Sequence, residues 1–94
     1  MPRRKDPVIA LTIYTGVGCH LCHEMKAVVE RVVRDTRTQA RIEEIDIATD
    51  AALTERYGQE IPVLLINGKK TAKYRIAEED LRRRLVAEGL RAEG

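Results

Sequence analysis

Thr15-Gly16-Val17-Gly18-Cys19-His20-Leu21-Cys22-His23 joins two segments of different periodicity, and its reading decides the fold. Before it, Val8-Ile9-Ala10-Leu11-Thr12-Ile13-Tyr14 is rich in β-branched residues and nearly continuous in apolarity, the pattern of a strand buried on both faces. After it, Leu21, Met25, Val28, Val29, Val32 and Val33 recur at helical spacing and leave Glu24, Lys26, Glu30, Arg31 and Arg34 outside. That predicts an amphipathic helix of about four turns with Cys19 at its N-terminus. The chain's two cysteines are both here, Cys19 and Cys22. A bridge between them closes a very short loop, valued at roughly 2 kcal/mol in the chain-entropy treatment, near the low end for disulfides. The pair therefore reads as reactive rather than architectural, a dithiol redox motif beside a βαβ pattern.

Further along, Arg41-Ile42-Glu43-Glu44-Ile45-Asp46-Ile47 alternates as a strand with one partly wet face. Thr49 or Asp50 is placed to cap a short helix that carries Leu53 and Tyr57 and stops at Gly58. Ile61-Pro62-Val63-Leu64-Leu65-Ile66 is an apolar strand that begins with proline, one of the few sheet positions to tolerate it. Asn67-Gly68 is a strong two-residue hairpin signal and returns the chain along Lys69 to Arg75. A helix from Ala77 to about Glu88 closes the chain, with Leu81 and Leu85 inward and Glu78, Glu79 and Asp80 in its first turn. The predicted order is β-α-β-α-β-β-α, a four-stranded mixed sheet flanked by three helices.

The 94 residues suffice for one domain, expected over 8–90 behind a flexible N-terminal tail over 1–7. A hydrophobic fraction of 44% with 34% charged residues is ordinary for a globular protein, and no apolar run is long enough to span a bilayer. A net charge of +2 gives no global argument for nucleic acid or for a membrane surface. Met1-Pro2-Arg3-Arg4-Lys5 reads as a solvated tail rather than a secretory leader, which points to the cytoplasm. A monomer is expected.

In this order, Gly18-Cys19-His20-Leu21-Cys22, Glu44-Ile45-Asp46-Ile47, Arg56-Tyr57-Gly58, Ile61-Pro62-Val63-Leu64 and Ile66-Asn67-Gly68-Lys69 resemble the glutaredoxin branch of the thioredoxin fold. More narrowly, they are similar to the small bacterial glutaredoxin-like proteins. The resemblance covers residue 8 to about 88. It implies a small thiol–disulfide oxidoreductase without a prosthetic group. It also implies that Pro62 is cis, packs against the cysteine pair and exposes the backbone of Ile61 to an extended substrate. Taken by itself, without the cysteine motif, Pro62 reads rather as a trans proline at the start of an edge strand. The glutathione-recognition pattern of glutaredoxins is largely missing. Gly16 stands in place of a lysine and Glu60 in place of a threonine, while Thr71-Ala72-Lys73-Tyr74-Arg75-Ile76 lacks a Gly-Gly pair and an acidic residue. Glutathione stays open as a co-substrate but is not implied; the partner is a disulfide-containing protein or a glutathione-type small molecule.

The thiolate is the nucleophile, and a free thiol with a pKa of about 8.5 is only slightly ionised at neutrality. Cys19 at a helix N-terminus meets unpaired N–H groups and the positive end of the dipole. His20, when protonated, favours the thiolate further. Cys19 is thus expected to attack and Cys22, one turn in, to resolve. Tyr14 and Tyr74 flank the sulfur site and contact substrate or serve as packing, packing being favoured for Tyr74, and His20 is a further candidate substrate contact. Lys69, Lys70, Lys73 and Arg75 attract an acidic partner or protect an edge strand from aggregation, and protection is favoured.

The rival readings use the same cysteines. Cys19 to His23 also fits the c-type haem attachment pattern, but Met25 lies on the motif's own helix, too close for the opposite axial position. A metal or iron–sulfur carrier is the stronger rival, although the chain offers no second cluster of ligands for a four-coordinate zinc. His23 reads as a solvated helix residue. A dithiol adaptor that senses oxidation is the third possibility.

Overall fold

The computed structural model describes residues 8–93, with side chains over 8–89. The tail expected over 1–7 lies outside the described residues. Seven main elements follow the expected order: β1 (Ile9–Thr15), α1 (His20–Thr36), β2 (Ala40–Asp46), α2 (Ala51–Tyr57), β3 (Val63–Ile66), β4 (Lys69–Lys73) and α3 (Glu78–Glu93). A single 3-10 turn, Ile47–Thr49, precedes α2. The sheet order is β2-β1-β3-β4, with β1 and β2 parallel and the other two pairings antiparallel.

Register divides the sheet into two faces. Ile9, Leu11 and Ile13 share one face with Leu64 and Ile66, and this face packs against Met25, Val29 and Val32 of α1 and Leu81 and Leu85 of α3. Leu11, Ile13, Leu64, Leu81, Leu85, Val29 and Val32 are essentially without exposed surface. Each such burial is worth about 1.5–3 kcal/mol in transfer free energy. Ala10, Thr12 and Tyr14 point to the other face and are only half-buried. The continuous apolar run of β1 had predicted burial on both faces. Only one helix, of seven residues, serves the second face, so burial alternates instead.

Local signals explain the ends of the elements. Asp50 caps α2 by accepting from the N–H groups of Ala52 and Leu53 at 2.9 and 3.2 Å. Asn67 and Gly68 both have positive φ, 51° and 83°, as the tight hairpin requires. Asn67 also ties the hairpin tip to β1: its Oδ1 accepts from the Ala10 N–H at 2.9 Å, and its own N–H donates to the Ala10 carbonyl at 2.8 Å. Helix α1 ends with Arg37 in the left-handed region, its N–H on the Arg34 carbonyl and that of Thr38 on Val33. Arg31 of α1 grips Glu78 of α3 with two hydrogen bonds of 3.2 Å. The Arg31 guanidinium holds the Glu78 carboxyl below the usual carboxylate range, chiefly through these bonds.

β3 starts at Val63, two residues later than the apolar run began. Ile61-Pro62 forms the approach to the strand, and the peptide bond between them is cis. β4 ends at Lys73 rather than Arg75 because Tyr74 takes a left-handed backbone, φ 69°.

Candidate functional site

Cys19 is the N-cap of α1, with extended backbone at φ −84° and ψ 104°. Gly18 before it has φ 74°, a left-handed conformation that favours glycine, and the Cys19 N–H closes the turn onto the Gly16 carbonyl at 3.3 Å. Cys19 Sγ accepts from the Cys22 backbone N–H at 3.1 Å. One of the orphan donors of the helix start is thereby aimed at sulfur. Cys19 is partly exposed, whereas Cys22 is 3% exposed and sits on the buried stripe of the helix with Met25, Val29 and Val32. The two are bonded as a disulfide, with Cα atoms 5.2 Å apart. His20 opens the helix and is exposed, as is His23.

The second part of the site comes from the segment between α2 and β3. A Cβ on Gly16 would lie 2.7 Å from Ile61 Cδ1, so glycine lets the loop before Cys19 rest directly on the Ile61 side chain. Pro62 beside it is fully buried. Cys19, Cys22, Ile61 and Pro62 are therefore gathered at one end of the sheet, where β1 finishes and β3 begins. Tyr14, next to last in β1, lies near the same end but on the other side of the sheet. Its ring stacks on Tyr57 of α2, with centroids 4.9 Å apart, on the face of the sheet opposite α1. Thr15, at the end of β1, is the one buried polar residue among the described residues, and its hydroxyl donates to the Ile45 carbonyl at 3.5 Å.

Tyr74 contributes more than packing. Its phenol donates to the Gln59 carbonyl at 2.6 Å and its N–H to the Pro62 carbonyl at 2.8 Å, so one residue clasps both ends of 59–62. No sequence signal announces this left-handed backbone in a tyrosine. Glu60 lies inside the clasped segment and pairs with Lys70. Its carboxyl is held below the usual range, mainly by the Lys70 hydrogen bond and also by the charges of Lys73 and Arg56. Among the described residues, no three of His, Cys, Asp and Glu converge as metal ligands. No helix among them is long and apolar enough to cross a membrane.

A mixed sheet ordered β2-β1-β3-β4, with a C-x-x-C pair at the first helix start, is a thioredoxin-like fold, and the combination supports a thiol–disulfide redox role. The chain belongs to the glutaredoxin-like domain family (DUF836), whose model matches residues 10–86. Among solved structures it is similar to a chloroplastic thioredoxin z, at 14% identity and TM-score 0.68 over 88% of this chain and 79% of that one. It is similar also to a mutant thioredoxin from Halobacterium salinarum, at 23% identity and TM-score 0.62 over 87% and 75% of the two chains. A structural-genomics target protein from X. campestris matches at 28% identity and TM-score 0.61, over 82% of this chain and 96% of that one. No curated protein matches the chain significantly.

Proposed function

We propose that the protein is a thiol–disulfide oxidoreductase that works through Cys19 and Cys22 on a disulfide-bonded protein or small molecule. In the reduced protein the Cys19 thiolate attacks one sulfur of the substrate disulfide and expels the other as a thiolate, which takes up a proton. The Cys22 thiol then loses its proton and attacks Cys19 Sγ in the mixed disulfide, releasing the second substrate thiol. The two electrons that reduce the substrate leave the dithiol as the Cys19–Cys22 disulfide. Ile61 offers its backbone to the extended substrate strand beside Pro62.

The observation that carries this reading is the placement of Cys19: a partly exposed sulfur at a helix N-cap, accepting from the Cys22 N–H, joined to a buried neighbour. That donor and the helix dipole favour a negative sulfur at position 19 and offer nothing comparable at position 22. Glutathione remains one small-molecule substrate to be tried.

Substitution and trapping test the assignment. Cys19→Ser should abolish reduction of a model disulfide. Cys22→Ser should accumulate a mixed disulfide through Cys19, visible by mass spectrometry as an adduct that a reductant removes. Identical behaviour of the two variants would refute the division of roles.

A further inference from the structure

At the cysteine end of the sheet, three cations converge beside the segment that precedes β3. Arg56 Cζ lies 5.2 Å from the centre of the Tyr57 ring, Lys70 Nζ lies 5.9 Å from the same ring, and Lys73 Nζ lies 5.5 Å from the Tyr74 ring. Glu60 is the carboxylate they share; Lys70 pairs with it directly, and the charges of Lys73 and Arg56 act on it. Three positive charges against one negative leave an excess adjacent to Ile61. The rings hold the cationic groups in place, so less conformational freedom is lost when an anion arrives.

Glu55 adjoins Arg56 on α2, and two further carboxylates of that end are engaged by backbone donors. Asp46 ends β2 and Asp50 caps α2, and both carboxylates accept from backbone N–H groups of the following turn and helix. In the order β2-β1-β3-β4, the cations of β4 occupy the opposite edge. Lys70 and Lys73 pair in register with Leu65 and Val63, so they stand on the same face as Tyr14 and Tyr57. Edge protection calls for lysines spread along a free strand. Two lysines over aromatic rings beside the Ile61 segment are placed to meet an anion as well as to guard the edge.

We infer that Arg56, Lys70 and Lys73 select protein disulfides flanked by aspartate or glutamate, an extended acidic segment lying along Ile61 with its side chains toward these cations. The inference rests on the oxidoreductase reading and adds a substrate class to it. Charge complementarity at a partly exposed rim acts chiefly on encounter and capture, and only weakly on the chemical step.

The test uses prereduced protein in single turnover, so no recycling reductant is needed. Three cysteine peptides of equal length, flanked by Glu, Gln or Lys, are supplied as homodimeric disulfides, with oxidised glutathione as a fourth substrate. Each rate is divided by the rate with dithiothreitol, because flanking charge alters the intrinsic reactivity of a disulfide. At low salt the Glu peptide should be reduced about tenfold faster than the Lys peptide, two to three rim charges acting attractively on one and repulsively on the other. The difference should appear in the half-saturating concentration rather than the limiting rate. It should shrink to within about twofold at roughly 0.5 M NaCl, where the screening length falls to a few ångströms. The Arg56→Gln/Lys73→Gln double variant should lower the Glu-to-Lys ratio toward one; if that variant does not fold, the salt dependence decides. A ratio near one at low salt, a ratio unchanged in the folded double variant, or faster reduction of oxidised glutathione than of the Glu peptide would each overturn the inference. Equal reduction of all three peptides would sink this inference alone. No reduction of any substrate would bring down the oxidoreductase reading, and this inference with it.

Discussion

On the α1–α3 face of the sheet, Leu11, Ile13, Leu64 and Ile66 meet Val29, Val32, Leu81 and Leu85 with almost no surface left exposed. On the α2 face, Tyr14 stacks on Tyr57, and Lys70 and Arg56 hold their charges over the Tyr57 ring. The first face is closed by aliphatic packing from two long helices. The second is served by a helix of seven residues and carries a buried Tyr57, a half-buried Tyr14 and cations at its rim. Burial of apolar area supplies the larger free energy, whereas ring and charge contacts contribute less and respond to salt and pH. Stability therefore resides mainly on one face, and the recognition we propose would sit at the rim of the other, with the cysteine pair at the end where the two meet.

That contrast is open to direct attack. Leu64→Ala removes a fully buried side chain from the closed face and should destabilise the protein by about 2–5 kcal/mol in a denaturant titration. A smaller loss than any on the other face would erase the asymmetry. Tyr57→Leu keeps an apolar group but loses the stack on Tyr14, and should cost about 1 kcal/mol in the same titration. Tyr74→Phe removes only the phenol's hydrogen bond to Gln59, an exposed contact, and should cost about 0.5–1 kcal/mol. It should weaken substrate capture more than the limiting rate, because it loosens the segment carrying Ile61.

The smallest effect concerns acid. Glu60 and Glu78 have carboxyls held below their ordinary value of 4.5 by hydrogen bonds from Lys70 and Arg31. A lowered folded-state pKa contributes stability that is present above pH 4.5 and lost as pH falls through the folded value. Both groups are partly exposed, so the decline should be shallow. Glu78→Gln should flatten it in unfolding midpoints measured from neutral pH into the acid range.

How much of this was legible in the sequence follows the same divide. The stripe from Leu21 to Val33, the apolar β1 and the Asn67-Gly68 turn are local patterns, and each led to the element found. Cys19 at the start of α1 followed from where periodicity changes, and the thioredoxin-like architecture was implied by the resemblance that the motifs carry in this order of elements. The one-sided burial of β1 was not legible, since it depends on α2 being too short to cover the second face. Nor was the clasp of Tyr74 on Gln59 and Pro62, which needs a left-handed tyrosine that composition does not mark. The gathering of Arg56, Glu60, Lys70 and Lys73 depends on the pairing of β3 with β4 and on the path of 58–62. Lysines counted along the chain read instead as protection for an edge. Contacts between segments distant in sequence were hidden, while those set by neighbours were not.

The central claim is that position 19 is electrostatically prepared for attack. The most direct measurement is the pH dependence of alkylation by iodoacetamide in reduced Cys22→Ala protein, where Cys19 is the only thiol and the backbone N–H of residue 22 is kept. The expected result is a rate that reaches half its plateau clearly below the ordinary thiol value of about 8.5 and that exceeds the rate of a free cysteine peptide at neutrality. A half-plateau at or above that value, or a sulfur that resists alkylation across the whole range, would contradict it.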